Sequence, residues 1–110
     1  MELAQIEKNM REAVNQIEVI GSQYAQARGT SYHLQELRKV ILAREMKRFD
    51  GSVANKEMEA RASERYEQHL EGTRDAIIEE TRLRATFEKW KAQYDACRSL
   101  LSAEKAKMNM

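Results

Sequence analysis

The chain reads as an all-α protein: a long antiparallel, coiled-coil-like helical hairpin with a short extra helix at the turn, assembling into a homo-oligomeric helical bundle. Three observations predict this class. The 110 residues contain no proline and only four glycines, so little in the chain breaks a helix. Charged residues make up 34% and aromatic residues 6%, the composition of long helices. Apolar and small residues recur at alternating three- and four-residue spacings, the heptad pattern of helices that pack side by side.

The first helix is predicted over about residues 2–48. Its seam runs through Leu3, Ile6, Met10, Ala13, Ile17, Ile20, Tyr24 and Ala27, then less strictly through Ser31, Leu34, Leu37 and Ile41. The segment Arg28–Ser31 admits two readings. The helix runs through it, or Gly29 closes one helix and Thr30 or Ser31 caps the next. "FDGSVAN" (49–55) is the one dense cluster of turn residues. Asp50-Gly51 suits a tight reversal, and Ser52 or Asn55 can cap the next helical segment. The turn and a short helical piece occupy about 49–62. Ser63 is a candidate cap for a second long helix over about 63–107. Its seam holds Leu83, Phe87, Trp90, Tyr94, Cys97 and Leu101. Upstream, Tyr66, Leu70, Thr73 and Ile77 are expected to continue it, slightly rotated. A strict seven-residue repeat on a 3.6-residue helix drifts in this way and implies left-handed supercoiling. Residues 1–110 form one domain.

Charge gives an independent argument for folding back. Residues 1–37 carry three Lys/Arg and five Asp/Glu; residues 38–65 carry eight and five; residues 66–88 carry three and six; residues 89–110 carry five and two. A reversal near residue 50 lays acidic segments against basic ones, as in paired helices. A lone hairpin has a thin core. Apolar residues outside a single seam, as in "IEVI" (17–20), "VIL" (40–42) and "II" (77–78), call for a further neighbour. A homodimer or higher oligomer is therefore expected, with two hairpins forming a four-helix bundle.

The formal net charge of +1 exerts no global pull on nucleic acid or anionic membrane. One cysteine, Cys97, cannot form an internal disulfide and fits a reducing cytosol. No apolar run approaches the roughly 20 residues that span a bilayer, and the N-terminus lacks the apolar stretch of a signal peptide. The expectation is a soluble, cytoplasmic protein.

Local chemistry points to binding. The stretch "YEQHLEGTRDAIIEE" (66–80) concentrates carboxylates around one histidine. His69, however, lies two residues from both Glu67 and Glu71, so helical geometry does not aim these side chains at one metal. His33 has a threonine three residues before it, where a Glu-x-x-His ligand pair needs a carboxylate. Glu67, Glu71, Asp75 and Glu79 recur every four residues and form an acidic stripe, read as a solvated face or as a protein-interaction surface. Arg38, Lys39, Arg44, Lys47 and Arg48, joined by Lys56, Arg61 and Arg65, form a basic cluster at the turn. Lys/Arg density of this kind contacts phosphates, but only Phe49 and Tyr66 lie near it as aromatic residues for stacking, and Glu45, Asp50, Glu57, Glu59 and Glu64 dilute the charge. Cys97 reads as a small core residue. There is no Gly-rich phosphate loop, Cys-x-x-Cys pair or nucleophile triad. The chain is expected to be no enzyme and to need no cofactor or metal.

"YAQAR" (24–28), "LQELRK" (34–39), the segment His69–Arg84 with its pattern HLEG-x-R-x-A-x-x-EE-x-x-LR, and "RS" (98–99) resemble a family of small, uncharacterised helical phage and prophage proteins. Members are typically encoded beside single-strand annealing recombination and replication genes. The family pattern carries a tryptophan before the Arg-Ser, where this chain has Cys97, and often a proline before the tyrosine that here is Tyr66. The resemblance implies a phage accessory protein in the cytoplasm of an infected or lysogenic bacterial host. Its partners would be DNA or a phage recombination or replication protein. An adaptor or inhibitor that acts through the acidic face, without nucleic acid, is the competing expectation.

Overall fold

The computed structural model describes residues 2–109. Among them are three α-helices and no strand: α1 (Leu3–Met46), α2 (Val53–Arg61) and α3 (Glu64–Met108). The order matches the hairpin with a short helix at its turn. α1 ends two residues earlier than its spacing predicts. The Arg48 N–H donates to the Glu45 carbonyl and the Phe49 N–H to the Met46 carbonyl, so the last turn tightens to three-residue bonds.

The chain then reverses at Gly51. Its φ of +110° is open to glycine and costly for any residue with a Cβ. Ser52 caps α2, its hydroxyl accepting from the Asn55 N–H at 3.2 Å, and the Asn55 amide closes back onto the Asp50 carbonyl at 3.0 Å. Both residues proposed as caps thus hold the turn. Ser63 links α2 to α3: its hydroxyl donates to the Ala60 carbonyl at 2.7 Å and accepts from the Tyr66 N–H at 3.2 Å. Glu64 and Glu67 stand in the first turn of α3, where the helix dipole favours negative charge.

Of the two readings of Arg28–Ser31, the structure takes the uninterrupted helix. Among the described residues only Gly51 has positive φ, so Gly29 does not act as a helix stop. Ser31 is fully buried at a seam position, and its hydroxyl accepts from Gln35 Nε2 at 3.0 Å. Nothing lies within 4 Å of where a Gly29 Cβ would stand. Gly29→Ala should therefore raise stability, by about 0.5–1 kcal/mol in urea denaturation. A loss would show that the helix is interrupted there after all.

The protein divides into two compact units. One joins α1 up to Ala25 with α3 from Thr81 onward; the other is Gln26–Glu80. In the first, Tyr24 and Phe87 rings lie 5.9 Å apart, and a Cβ at Gly21 would stand 3.1 Å from Phe87. In the second, His69 Nε2 is 2.9 Å from the Leu34 carbonyl oxygen, and Arg65 Nε is 3.9 Å from Glu45 Oε1. Within this unit a later residue of α1 meets an earlier residue of α3, which makes the arms antiparallel. The arms are also of opposite charge. Residues 26–46 carry four Lys/Arg and two Asp/Glu, and residues 64–80 carry two and six.

The α1 seam lies where its spacing places it. Ile6, Ala13 and Ser31 are buried, and Ile17, Ile20, Tyr24, Leu34 and Ile41 are half-buried; Glu45, beyond the expected seam, is buried as well. In α3, Leu83 and Cys97 are buried, and Phe87, Trp90, Tyr94 and Leu101 half-buried. Upstream the expected seam needs correction. Tyr66 and Thr73 face inward, but Leu70 and Ile77 are 41% and 40% exposed. His69, Ala76 and Glu80 take the inward positions instead. The heptad of Leu83 thus continues unrotated toward the N-terminus of α3, through small and polar residues.

Candidate nucleic-acid interface

The basic cluster spans the end of α1, the turn, α2 and the start of α3, and lies entirely within the second unit. Arg38, Lys39, Arg44, Lys47, Arg48, Arg61 and Arg65 are exposed, and Lys56 is half-buried. At 100° per residue, Arg38, Lys39 and Arg44 point in three directions around α1. The positive charge surrounds the hairpin end and does not form a single stripe.

Three of these cations are already engaged. Glu45, 1% exposed, accepts from Arg48 at 2.7 Å and stands 3.9 Å from Arg65. Arg61 donates from Nε and Nη2 to Glu57 Oε1 at 3.2 and 2.8 Å. That hydrogen bonding, with the carboxylate charge, raises the guanidinium pKa above its ordinary value. Arg38, Lys39, Arg44, Lys47 and Lys56 make no ion pair among the described residues. They remain available to phosphates.

Neither of the two aromatic residues near the cluster presents an open ring face. Tyr66 is 4% exposed. Phe49 is half-buried, and the Arg48 guanidinium lies over its ring at 5.8 Å. Arg48 and Phe49, together with Ser63, Glu64, Arg65 and Gln68, line an open cleft of about 600 Å³ that holds two guanidinium groups and one carboxylate.

A different aromatic residue, outside the expected cluster, is better placed. Tyr32 is 66% exposed, four residues after Arg28 and seven before Lys39. Those spacings set all three on one outward face of α1. Arg28 and Lys39 are exposed and unpaired among the described residues. Glu36, one turn after Tyr32, is the carboxylate bordering this face. Heptad arithmetic applied to the polar side of α1 would have found the strip.

On α3, Glu67, Glu71, Asp75 and Glu79 are all exposed, as an outward stripe requires. Arg74 reaches Asp75 at 3.6 Å, and Glu64, Glu67, Gln68 and Glu71 line a shallow cleft of about 260 Å³. The like charges of this face repel phosphate. His69 is spent on structure through its bond to the Leu34 carbonyl. Among the described residues no group of three or more His, Cys, Asp or Glu side chains could hold a metal ion. No helix among them is long and apolar enough to cross a membrane.

No family model matches the chain, and no curated protein or solved structure matches it significantly.

Proposed function

We propose that this chain is a non-catalytic helical binding module, a phage accessory protein of the recombination and replication type that the 69–84 motif resembles. It contacts single-stranded nucleic acid through the outer face of α1 and the hairpin end. The observation that carries the reading is the exposed Arg28–Tyr32–Lys39 face, with the unpaired Arg38, Arg44, Lys47 and Lys56 distributed around the hairpin end. Cations that track a backbone and an aromatic ring that stacks on a base are the two parts of single-strand binding. A second copy would multiply the cations that one strand meets.

Fluorescence anisotropy with a labelled oligonucleotide tests it. Binding is expected at low salt. Arg44→Glu with Lys47→Glu should flatten the log–log salt dependence by about 0.7 per lost phosphate contact. Tyr32→Ala should weaken binding by about 1–3 kcal/mol. No anisotropy change at low salt would remove this reading and favour the second. In that one, the exposed Glu67, Glu71, Asp75 and Glu79 face serves a protein–protein adaptor or inhibitor, whose partner is lost on Glu71→Lys.

A further inference from the structure

Between Tyr66 and Leu83 the inward positions of α3 hold His69, Thr73, Ala76 and Glu80, while Leu70, Ile77 and Ile78 are 41%, 40% and 57% exposed. The large apolar residues come together. Leu70, Thr73, Ile77 and Ile78 floor an open groove of about 350 Å³, with Arg38 and Arg74 beside them. A groove of this kind takes an amphipathic helix. Its two arginines require that the helix carry carboxylates next to its apolar stripe.

α3 itself has that chemistry. Leu70 and Ile77 stand seven residues apart, one heptad, on one side of the helix. Glu67, Glu71 and Asp75 border them, exposed. The Leu70–Ile77 pair is symmetric about residues 73 and 74. Two antiparallel copies of α3 related by a two-fold axis there would set Leu70 of each on Ile77 of the other. Each Arg74 would then lie two residues, about 3 Å along the helix axis, from Glu71 and Asp75 of the other copy. These carboxylates also offset the approach of the two Arg74 side chains to each other. The contact Arg74 now makes is to its sequence neighbour Asp75 at 3.6 Å, with both side chains more than two-thirds exposed. Such a pair exchanges readily.

We propose that the occupant of this groove is a second copy of the chain, docked antiparallel along α3. The interface is isologous, the same surface patch on both copies, and yields a four-helix arrangement around Leu70 and Ile77.

Sedimentation equilibrium of the full chain without nucleic acid tests it. The expected mass is that of two chains, dissociating on dilution. Leu70→Glu with Ile77→Glu should give one-chain mass at every concentration. Circular dichroism should show helix content kept, because both positions are solvent-exposed within the single chain. Val19→Glu, on another exposed position, should leave the two-chain mass unchanged. Orientation is read by disulfide capture in a Cys97→Ala background. Mixed Leu70→Cys and Ile77→Cys chains should cross-link at least tenfold faster than either variant alone. One-chain mass for the unsubstituted protein, or two-chain mass for the Leu70→Glu/Ile77→Glu variant, overturns the proposal. Faster Leu70→Cys self-linking overturns the antiparallel arrangement. Nucleic-acid binding has no part in these readouts, so the two proposals fail separately.

Discussion

Leu83→Ala should destabilise the protein by about 2–5 kcal/mol, the range for removing a buried leucine and leaving a cavity. Leu70→Ala should cost the folded chain less than about 1 kcal/mol. The pattern of apolar residues alone treats the two leucines alike. The structure separates them: Leu83 is 5% exposed and Leu70 41%. For a chain of this length, total stability is roughly 5–15 kcal/mol, so the Leu83 loss is a large fraction of it. Two helices offer one seam, and few neighbours can relax into the void. Urea denaturation with both variants checks the contrast at a protein concentration where association is absent. Equal losses would mean that the upstream seam runs through Leu70 after all.

The reason α1 is legible in the sequence and the start of α3 is not lies in which residues mark the repeat. Along α1 the inward positions from Leu3 to Ile20 are nearly all apolar, so hydrophobicity and register agree. From Tyr66 to Glu80 they disagree. His69, Ala76 and Glu80 hold the register, while Leu70 and Ile77 sit one position outside it. A histidine can occupy the seam because its ring bonds to the Leu34 carbonyl, a partner on the opposite arm that sequence spacing cannot show. Counting back in heptads from Leu83 would have found the correct positions.

Spacing alone places Ser31 inward, and it is fully buried, with Gln35 satisfying its hydroxyl. The same arithmetic argues for an unbroken helix at Gly29, against the local composition of "RGTS". The basic cluster is legible as charge, because long cationic side chains at surface positions need only their sequence. Its internal pairing is not. Which arginines are held depends on Glu45 being buried beneath Arg48 and near Arg65, a consequence of the hairpin closing. Tyr66 is legible for the same reason as Ser31: its seam position places it inward, and it is buried.

Glu45→Lys should cost about 3 kcal/mol or more, and Glu45→Gln less than about 1 kcal/mol, a contrast that isolates charge from shape. The Glu45 side chain is 2% exposed, whereas those of Arg48 and Arg65 are 64% and 55% exposed. Solvent screens both attractions, so the pairs themselves contribute little. Glutamine keeps the volume and can still accept from Arg48, so little is lost beyond a charge-assisted bond. Lysine places an ammonium group where the protein buries a carboxylate, beside two guanidinium groups, and an uncompensated buried charge costs about 3–5 kcal/mol. The long lysine stem can carry the ammonium partway to water, which sets the expectation at the lower end of that range. Added salt should recover part of the Glu45→Lys loss, since the repulsion is with exposed groups. Equal stabilities for the two variants would show that the position does not exclude a positive charge. The glutamine variant also raises the charge of the basic surface by one unit while keeping its fold. If single strands bind there, its affinity at low salt should exceed that of the unsubstituted protein, because phosphates meet one fewer competing carboxylate.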